Sequence, residues 1–300
     1  MWQVFIPGRS AVITALPALK TRAHAVGVAT TVSQHRVLGF AMPRRLGQHF
    51  LRAPSVERLV QLIAPQPKDV FLEIGAGLGA LTAPLARRCA QIVAVEIDPT
   101  LTQKLRRAMP ENVRVIEGDA LALDLESLSG SGSFRIAGNL PYAVSSPLLR
   151  RLLDLHERVR DMHLMLQLEV ADRVAARPGS KQYGVLSVLY ALRFDVDVPL
   201  RFGPGCFVPP PKVESGILRA RPRGHELAPV CCPESLEKLL HAAFAHRRKT
   251  LENNLRDRYD NLKQHLRLLN ISGSRRAETL SVVEFARLAV ALESDVVADE

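Results

Sequence analysis

The chain has 300 residues, with 40 Lys and Arg against 30 Asp and Glu, so its formal net charge at pH 7 is +10. Hydrophobic residues make up 47% of it, which excludes wholesale disorder because a core of ordinary size can be buried. No apolar run approaches the roughly 18–20 residues that a membrane-spanning helix needs. The basic balance indicates an anionic partner.

Residues 1–41 differ from the rest in composition. They are rich in Ala, Val, Ser and Thr, and they carry Arg9, Lys20, Arg22 and Arg36 without any Asp or Glu. This composition is typical of an organelle transit peptide, which would make the protein mitochondrial. Met42 is also a natural start, and the leader is then a disordered tail or translated upstream sequence. We favour the second interpretation, which predicts a cytoplasmic protein.

From residue 55 onward, helical spacing of apolar residues alternates with short β-rich runs. The pattern predicts strands at 69–74, 91–95, 113–116, 134–137 and 162–167, and helices at 55–64, 80–88, 99–108 and 146–154. Strands that alternate with helices predict an α/β fold whose parallel sheet is covered on both faces.

The pattern changes after about residue 220, where helices alone are predicted, at 233–245, 248–257, 259–269 and 281–293. The Pro-rich stretch Pro199–Pro211 predicts the end of the sheet domain. We therefore expect three parts: the leader 1–41, a sheet domain 42–220 and a small all-α domain 221–300.

A glycine turn follows the first strand of the sheet domain. Residues 75–80 read G-A-G-L-G-A, and Glu96 lies about twenty residues beyond the strand, where a carboxylate that binds ribose is expected. Glycines let the backbone approach a ligand, and the carboxylate accepts both ribose hydroxyls. Dinucleotide enzymes and methyltransferases share this arrangement, so the turn predicts a nucleotide site without identifying the ligand.

The next two strand ends favour methyl transfer to an amine. Asp119 ends the third strand, where its carboxylate can accept a hydrogen bond from the exocyclic amine of adenine. Asn139-Leu140-Pro141-Tyr142 ends the fourth strand at the same edge. The N6 lone pair of adenine is delocalised, and acceptors such as the Asn139 side chain and the Leu140 carbonyl favour a pyramidal nitrogen aimed at a methyl donor. Pro141 fixes the turn and Tyr142 offers a flat face to the base. A dinucleotide oxidoreductase would leave this tetrapeptide unexplained.

The chain resembles the ribosomal RNA adenine N6-dimethyltransferases, and its last matching segments are most similar to the bacterial small-subunit (16S) branch. The resemblance covers nearly everything from Met42 onward. It is carried by LGQHFL (46–51), FLEIGAGLGALT (71–82), VEID (95–98), GDAL (118–121), NLPYAVSSPLL (139–149), EVADRVAARPGSKQYGVLSV (169–188), FVPPPKVES (207–215) and FAHRRKTLENNL (244–255).

The resemblance implies a Rossmann-like methyltransferase sheet with helices on both faces, plus a small all-α C-terminal domain. It implies S-adenosylmethionine, consumed as a co-substrate and bound by His49, Leu51, Gly75, Glu96, Asp119 and Asn139, with Gly77 and Gly79 shaping the turn. The target adenine would be held by Asn139, Leu140 and Tyr142 beside Pro141, with Phe207 closing the stack. Two positions depart from the family, which often has Asn at His49 and commonly has Lys at Leu168.

The implied activity is N6,N6-dimethylation of two adjacent adenines in a 3′-terminal hairpin of 16S rRNA during small-subunit biogenesis. The partner would be rRNA in an immature 30S-like particle, and we expect a monomer without membrane attachment. The cations expected on RNA phosphates are Arg44, Arg45, Lys181, Lys212, Arg247, Arg248 and Lys249. The alternative is a non-catalytic RNA- or DNA-binding factor on the same scaffold, such as an assembly checkpoint or a mitochondrial transcription factor.

No metal site is predicted. The cysteines Cys89, Cys206, Cys231 and Cys232 lack the C-x-x-C spacing of zinc or redox sites, and the histidines show no ligand spacing. We therefore expect reduced thiols, a reaction without a metal, and no disulfide.

Overall fold

The computed structural model describes residues 49–224, 227–228 and 232–293. The predicted leader, Arg44, Arg45 and Cys231 lie outside the described residues. The strands are β1 (Phe50–Leu51), β2 (Val70–Ile74), β3 (Gln91–Glu96), β4 (Val113–Glu117), β5 (Phe134–Asn139), β6 (Val159–Gln167), β7 (Phe194–Phe202), β8 (Phe207–Val208) and β9 (Ser215–Pro222).

The helices are α1 (Ala53–Ile63), α2 (Thr82–Ala86), α3 (Pro99–Ala108), α4 (Leu125–Leu128), α5 (Ser145–Leu152), α6 (Leu168–Val174), α7 (Val185–Arg193), α8 (Pro233–Ala243), α9 (Leu251–Leu255), α10 (Leu262–Leu268) and α11 (Val282–Leu292). The eight predicted helices are present with ends that differ by a few residues, whereas α4, α6 and α7 were not predicted. Local chemistry starts several of them. Asp98 accepts hydrogen bonds from the Thr100 and Leu101 amides at the start of α3, and Ser281 forms a capping box with Glu284 at the start of α11.

Seven strands form one sheet in the order β4-β3-β2-β5-β6-β9-β7. The strands from β4 to β6 are parallel, so their carboxyl ends meet at one edge, as predicted. Strand β9 is antiparallel to both β6 and β7. The short strands β1 and β8 pair separately, with Phe50 opposite Val208 and Leu51 opposite Phe207.

The prediction that Pro199–Pro211 ends the sheet domain is wrong, because the sheet continues to Pro222 in β9. Pro199 lies inside β7, which is the edge strand of the sheet. The register of β7 shifts between Asp197 and Leu200, and an edge position at an irregularity tolerates a residue without an N–H donor. The alternating sequence FDVDVPLRF of β7 is a period-two pattern that is typical of a strand.

Helices cover both faces of the sheet. Leu72 and Ile74 of β2 face one buried cluster, which includes residues of α5 and α7, whereas Phe71 faces a second cluster with α1 and α2. This alternation explains why β2 is apolar at nearly every position. The helices after residue 232 share the first cluster with the sheet, for example through Leu240 and Phe285. All the described residues therefore belong to one compact unit.

A buried ion cluster lies at the other end of the parallel strands. Arg135 of β5 donates to Asp69 at 2.7 Å and to both carboxylate oxygens of Asp161 at 2.8 Å. It also donates to the Ile63 carbonyl at 2.6 Å, so it satisfies an end group of α1. Arg160, which is half exposed, donates to the other oxygen of Asp69 at 2.8 Å. The cluster ties α1 to the centre of the sheet.

Candidate active site

A cavity of about 550 Å³ opens where the parallel strands end. This volume lies within the range of small-molecule sites, and the crevice at the carboxyl ends of parallel strands is where open α/β sheets bind ligands. Four segments contribute most of the wall: His49–Leu51, the glycine turn, Glu96–Ile97 and Gly118–Leu121. The tetrapeptide Asn139–Tyr142 closes the remaining side.

The glycine turn orients the Glu96 carboxylate. The Gly77 amide donates to Oε2 of Glu96 at 2.8 Å, and the Asp98 amide donates to Oε1 at 3.0 Å. Glu96 is 4% exposed, so these two bonds hold a buried carboxylate in one place. Each oxygen keeps a second lone pair, which allows the group to accept both hydroxyls of a ribose.

The backbone conformation requires glycine at positions 75 and 77, and at position 75 a close contact requires it as well. Their φ angles are +73° and +59°, in the left-handed region that favours glycine. A Cβ on Gly75 would lie 3.0 Å from the Asn139 carbonyl oxygen, so the turn contacts the tetrapeptide directly. Gly79 has a different neighbourhood, since a Cβ there would meet Leu105 and Met109 at 2.8 Å. It packs against α3 and does not border the cavity.

Asp119 follows β4 at the rim of the cavity and is exposed. Its Oδ1 accepts a hydrogen bond from the Leu121 amide at 2.8 Å. The Gly118 amide donates to the Glu96 carbonyl at 3.0 Å, which joins this loop to the end of β3. The structure thus brings Glu96 and Asp119 to one cavity, as predicted.

The hydrogen bonds of Asn139 determine which of its side-chain atoms can bind a substrate. Its Nδ2 donates to the His49 carbonyl at 2.9 Å, so Oδ1 is left as the acceptor. The Leu140 amide donates to the Met165 carbonyl at 3.1 Å, which fixes the peptide group between Asn139 and Leu140. The Pro141 carbonyl then accepts from Val144 at 3.1 Å as the chain turns toward α5. Hydrogen bonds therefore fix the tetrapeptide at the end of β5 with the side-chain oxygen of Asn139 as its acceptor.

Tyr142 lies half-buried beside these acceptors. Its hydroxyl shares a 2.7 Å hydrogen bond with Ser215 Oγ of β9, 73 positions along the chain. Burial raises the pKa of Tyr142, and the Ser215 hydrogen bond partly offsets that rise. The tyrosine ring stacks with the His49 ring, with centroids 5.8 Å apart and planes 28° apart.

Two segments are hydrogen-bonded to each other beside the cavity, namely His49–Arg52 and Cys206–Pro209. His49 Nδ1 lies 2.8 Å from the Pro209 carbonyl, and the Arg52 amide donates to the Cys206 carbonyl at 2.9 Å. The structure does not bring Phe207 to the cavity. Phe207 is 1% exposed and packs in the buried cluster shared with α1, whereas Leu51, its partner in the β1–β8 pair, borders the cavity. The ring in contact with Tyr142 is that of His49.

Leu168 occupies the position where a lysine was expected from the resemblance. It starts α6, and its side chain packs at β9, since a Cβ on Gly216 would lie 3.0 Å from Leu168 Cδ1. No charge is presented there.

The predicted RNA-contacting cations that the structure describes are all exposed: Lys181, Lys212, Arg247, Arg248 and Lys249. Arg247 also donates to Glu278 at 2.9 Å and to the Tyr183 carbonyl at 3.4 Å. The Gly179 amide donates to the Glu278 carbonyl at 2.7 Å, so the loop that carries Lys181 is tied to the C-terminal helices.

Sequence reasoning missed Glu73, which borders the cavity from β2. Its side chain is buried, and burial raises the pKa of its carboxyl to about 8, with the negative charge of Glu96 adding to the rise and the Thr82 hydroxyl opposing it. The pattern at 69–74 predicts only an apolar strand. The usable signal was a carboxylate inside an otherwise apolar buried strand.

In the described part of the chain, none of the helices is both long and apolar enough to cross a bilayer. No group of three or more His, Cys, Asp or Glu side chains in that part is arranged to hold a metal ion.

A Rossmann-like sheet with a cavity lined by the glycine turn, Glu96, Asp119 and Asn139–Tyr142 at its carboxyl edge is the architecture of an α/β methyltransferase. Comparisons with known proteins specify the family. Residues 39–294 match the ribosomal RNA adenine dimethylase family. The chain is 43% identical to the ribosomal RNA small subunit methyltransferase A of Leptothrix cholodnii, over 83% of this chain and 91% of that protein. It is 45% identical to the protein of the same name from Acidithiobacillus ferrooxidans, over 83% and 93%.

Solved structures agree with this assignment. The 23S rRNA methyltransferase ErmE superposes with a TM-score of 0.63 at 25% identity, over 81% of this chain and 99% of that chain. A dimethyladenosine transferase from Plasmodium falciparum gives a TM-score of 0.69 at 24% identity, over 82% and 98%, and supports the fold. The chain belongs to the ribosomal RNA adenine dimethylase family, and it is therefore an rRNA adenine dimethyltransferase.

Proposed function

We propose that the chain transfers methyl groups from S-adenosylmethionine to N6 of two adjacent adenines in a 3′-terminal hairpin of 16S rRNA. The observation that carries this proposal is the commitment of Asn139 Nδ2 to the His49 carbonyl, which leaves Oδ1 as an acceptor beside Tyr142. The names of the small-subunit relatives, which match over more than four fifths of the chain, support the choice of 16S rRNA.

The residues at the strand ends fit the donor. Glu96 presents a fixed carboxylate for the two ribose hydroxyls, and Asp119 can accept from the adenine amine at the rim. The side chains of Leu51 and Ile97 line the cavity and can cover apolar parts of the ligand. When bound, S-adenosylmethionine supplies an electrophilic methyl group on its sulfonium.

The task of the chain is then to orient the acceptor nitrogen. The Asn139 Oδ1 and the Leu140 carbonyl can accept the N6 hydrogens, which favours a pyramidal nitrogen and stabilises the positive charge that develops on it. The face of Tyr142 can hold the ring of an adenine that has left its stack, at a cost of a few kcal/mol. The amine can release its proton after the new bond forms, so orientation does not require a general base.

We further propose that the substrate is rRNA in an immature 30S-like particle, bound by a monomer in the cytoplasm. Phosphate contacts would come from Lys181, Lys212, Arg248 and Lys249, which are exposed, and the helical segment 221–300 would be the main RNA-binding domain. Arg247 is engaged with Glu278, so its share in phosphate binding would require that pair to open.

The test uses immature 30S particles from a strain that lacks the modification, incubated with labelled S-adenosylmethionine. We expect N6,N6-dimethyladenine in the digested 16S rRNA and none with Asn139→Ala. Asn253→Ala, an exposed asparagine on α9, serves as the matched control and should leave turnover unchanged. Absence of dimethyladenine with the wild-type protein, or full activity of Asn139→Ala, would contradict the proposal.

The alternative, a non-catalytic nucleic-acid-binding factor, is disfavoured because Glu96, Asp119 and the tetrapeptide are all assembled at one cavity. Isothermal titration with S-adenosylhomocysteine separates the two possibilities cheaply. A pure binding factor should show no affinity for it, whereas the proposed enzyme should bind it and Glu96→Gln should weaken that binding.

A further inference from the structure

The loop that carries Asp119 is held by a side chain from a distant helix. The loop spans 118–124, between β4 and α4, and its own bonds are local: the Ala122 and Leu123 amides donate to the Asp119 carbonyl at 2.9 and 3.0 Å. Two of its carbonyls, those of Leu121 and Leu123, accept from the guanidinium of Arg151 on α5, one from Nη1 and the other from Nη2.

Arg151 is well placed to fix this loop. Helix α5 is anchored in the core by Leu148, Leu149 and Leu152, which are all at most 1% exposed. The planar guanidinium presents two parallel N–H donors, which suit two carbonyls held at a set spacing, whereas the single ammonium of lysine does not. The bonds of Arg151 therefore connect the loop to a rigid element of the fold.

Helix α5 is connected both to the acceptor tetrapeptide and to the loop that carries Asp119. Helix α5 begins right after the short 3₁₀ turn that follows Pro141, so the helix that starts at the acceptor tetrapeptide also carries the clamp on the Asp119 loop. The Leu123 side chain packs at Gly118, where a Cβ would lie 3.0 Å from Leu123 Cδ1. Fixing the Leu123 carbonyl thus also restrains the residue before Asp119.

We propose that Arg151 is a positioning residue for the nucleobase of the methyl donor. By holding the Leu121 and Leu123 carbonyls, it keeps the Asp119 carboxylate where it accepts from the exocyclic amine of adenine. The inference rests on the proposed donor site and adds to it a residue that touches neither donor nor RNA. Substitution of Arg151 should therefore weaken the preference for adenine over other bases. Binding of the ribose, which depends on Glu96, should stay largely intact.

Arg150 supplies a matched control on the same helix. It pairs with Glu237 at 2.7 Å and with Asp154 at 3.1 Å, so it faces α8 and makes no bond to the loop. A charge-conserving lysine at either position keeps the helix and the net charge the same.

The experiment compares the affinities of two ligands by isothermal titration. S-Adenosylhomocysteine carries the exocyclic amine, and S-inosylhomocysteine has a carbonyl in its place, so their Kd ratio reports recognition by Asp119. A hydrogen bond to a charged group corresponds to a ratio of roughly 10–100 in the wild type. We expect Arg151→Lys to reduce the ratio to about 3 or less, and Arg150→Lys to leave it unchanged.

Circular dichroism and urea unfolding of each variant establish that it folds. If Arg151→Lys does not fold, Arg151→Gln, which keeps one amide donor, is measured in the same way and should also lose the preference. A wild-type ratio near one, or an Arg151 variant that weakens both ligands equally and keeps the ratio, overturns the inference and leaves the donor site standing. No binding of either ligand by the wild type would overturn the proposed function as well.

Discussion

The buried carboxyl of Glu73 should make the free energy of unfolding depend on pH in a way that can be measured. Its side chain is 1% exposed on β2, and its Oε2 has no hydrogen-bond partner among the described residues. Burial raises the pKa of this carboxyl from 4.5 to about 8, with a further contribution from the negative charge of Glu96. The change we consider is Glu73→Gln, which keeps the shape of the side chain and removes its titration.

The sign of the effect follows from proton linkage. Between pH 4.5 and pH 8 the folded protein retains the Glu73 proton that the unfolded chain has released, so the free energy of unfolding falls as pH rises through this window. At 1.36 kcal/mol for each pKa unit, the full loss is on the order of 4–5 kcal/mol, and about 2 kcal/mol of it falls between pH 6 and pH 8. The glutamine variant lacks this loss.

The assay is equilibrium urea unfolding at pH 6 and pH 8. We expect the stability of Glu73→Gln relative to the wild type to increase by about 2 kcal/mol from the lower to the higher pH. Glu57→Gln on the exposed face of α1 is the control and should show no such increase. A difference between variant and wild type that is the same at both pH values would refute the reasoning, because Glu73 would then titrate alike in the folded and unfolded chain.

Three further predictions concern the ion cluster around Arg135, the close approach of two strands at Gly138 and the stacking face of Tyr142. Arg135→Met should lower the free energy of unfolding by about 3–5 kcal/mol because it strands buried carboxylates, whereas Arg160→Met, at a half-exposed partner of the same cluster, should cost about 1 kcal/mol or less by urea unfolding. Gly138→Ala should destabilise the protein by about 1–3 kcal/mol in the same measurement, since its Cβ would lie 2.4 Å from the Ile74 carbonyl oxygen in β2; an unchanged midpoint would contradict the close approach. Tyr142→Ala should reduce kcat/KM for 30S particles by about 5–150-fold through loss of the stacking face, whereas Tyr142→Phe, which loses only the hydroxyl bonded to Ser215, should remain within a few fold; equal losses in the two variants would exclude a stacking role.

Much of the donor half of the site could be predicted from the sequence because its signals are local. A glycine turn, a strand and the carboxylate at the strand end lie within about twenty-five residues, and the rule that parallel strands end at one edge brings Gly75, Glu96 and Asp119 together. The same rule placed Asn139 at the cavity. The roles of these residues toward the donor and RNA stay predictions.

Contacts between distant parts of the chain could not be predicted in this way. Strand β9 inserts between β6 and β7, and only that insertion places Ser215 against the hydroxyl of Tyr142. Phe207 was expected at the base but lies in the core, where it packs in the cluster shared with α1. Nothing in a local pattern records that packing.

By itself, then, the sequence determined the five parallel strands, the covered sheet that they form and the set of chemical groups at its carboxyl edge, since periodicity and turn chemistry act over a few residues. The tertiary structure alone decided which atoms those groups leave for a ligand. Asn139 presents its oxygen because its nitrogen is bound to His49, ninety positions away; Arg151 holds the Asp119 loop from α5; and Glu73 keeps its proton because the fold removes it from water. These hydrogen bonds and this protonation state depend on which groups surround a residue in space, and packing brings those groups together only when the whole sheet has formed.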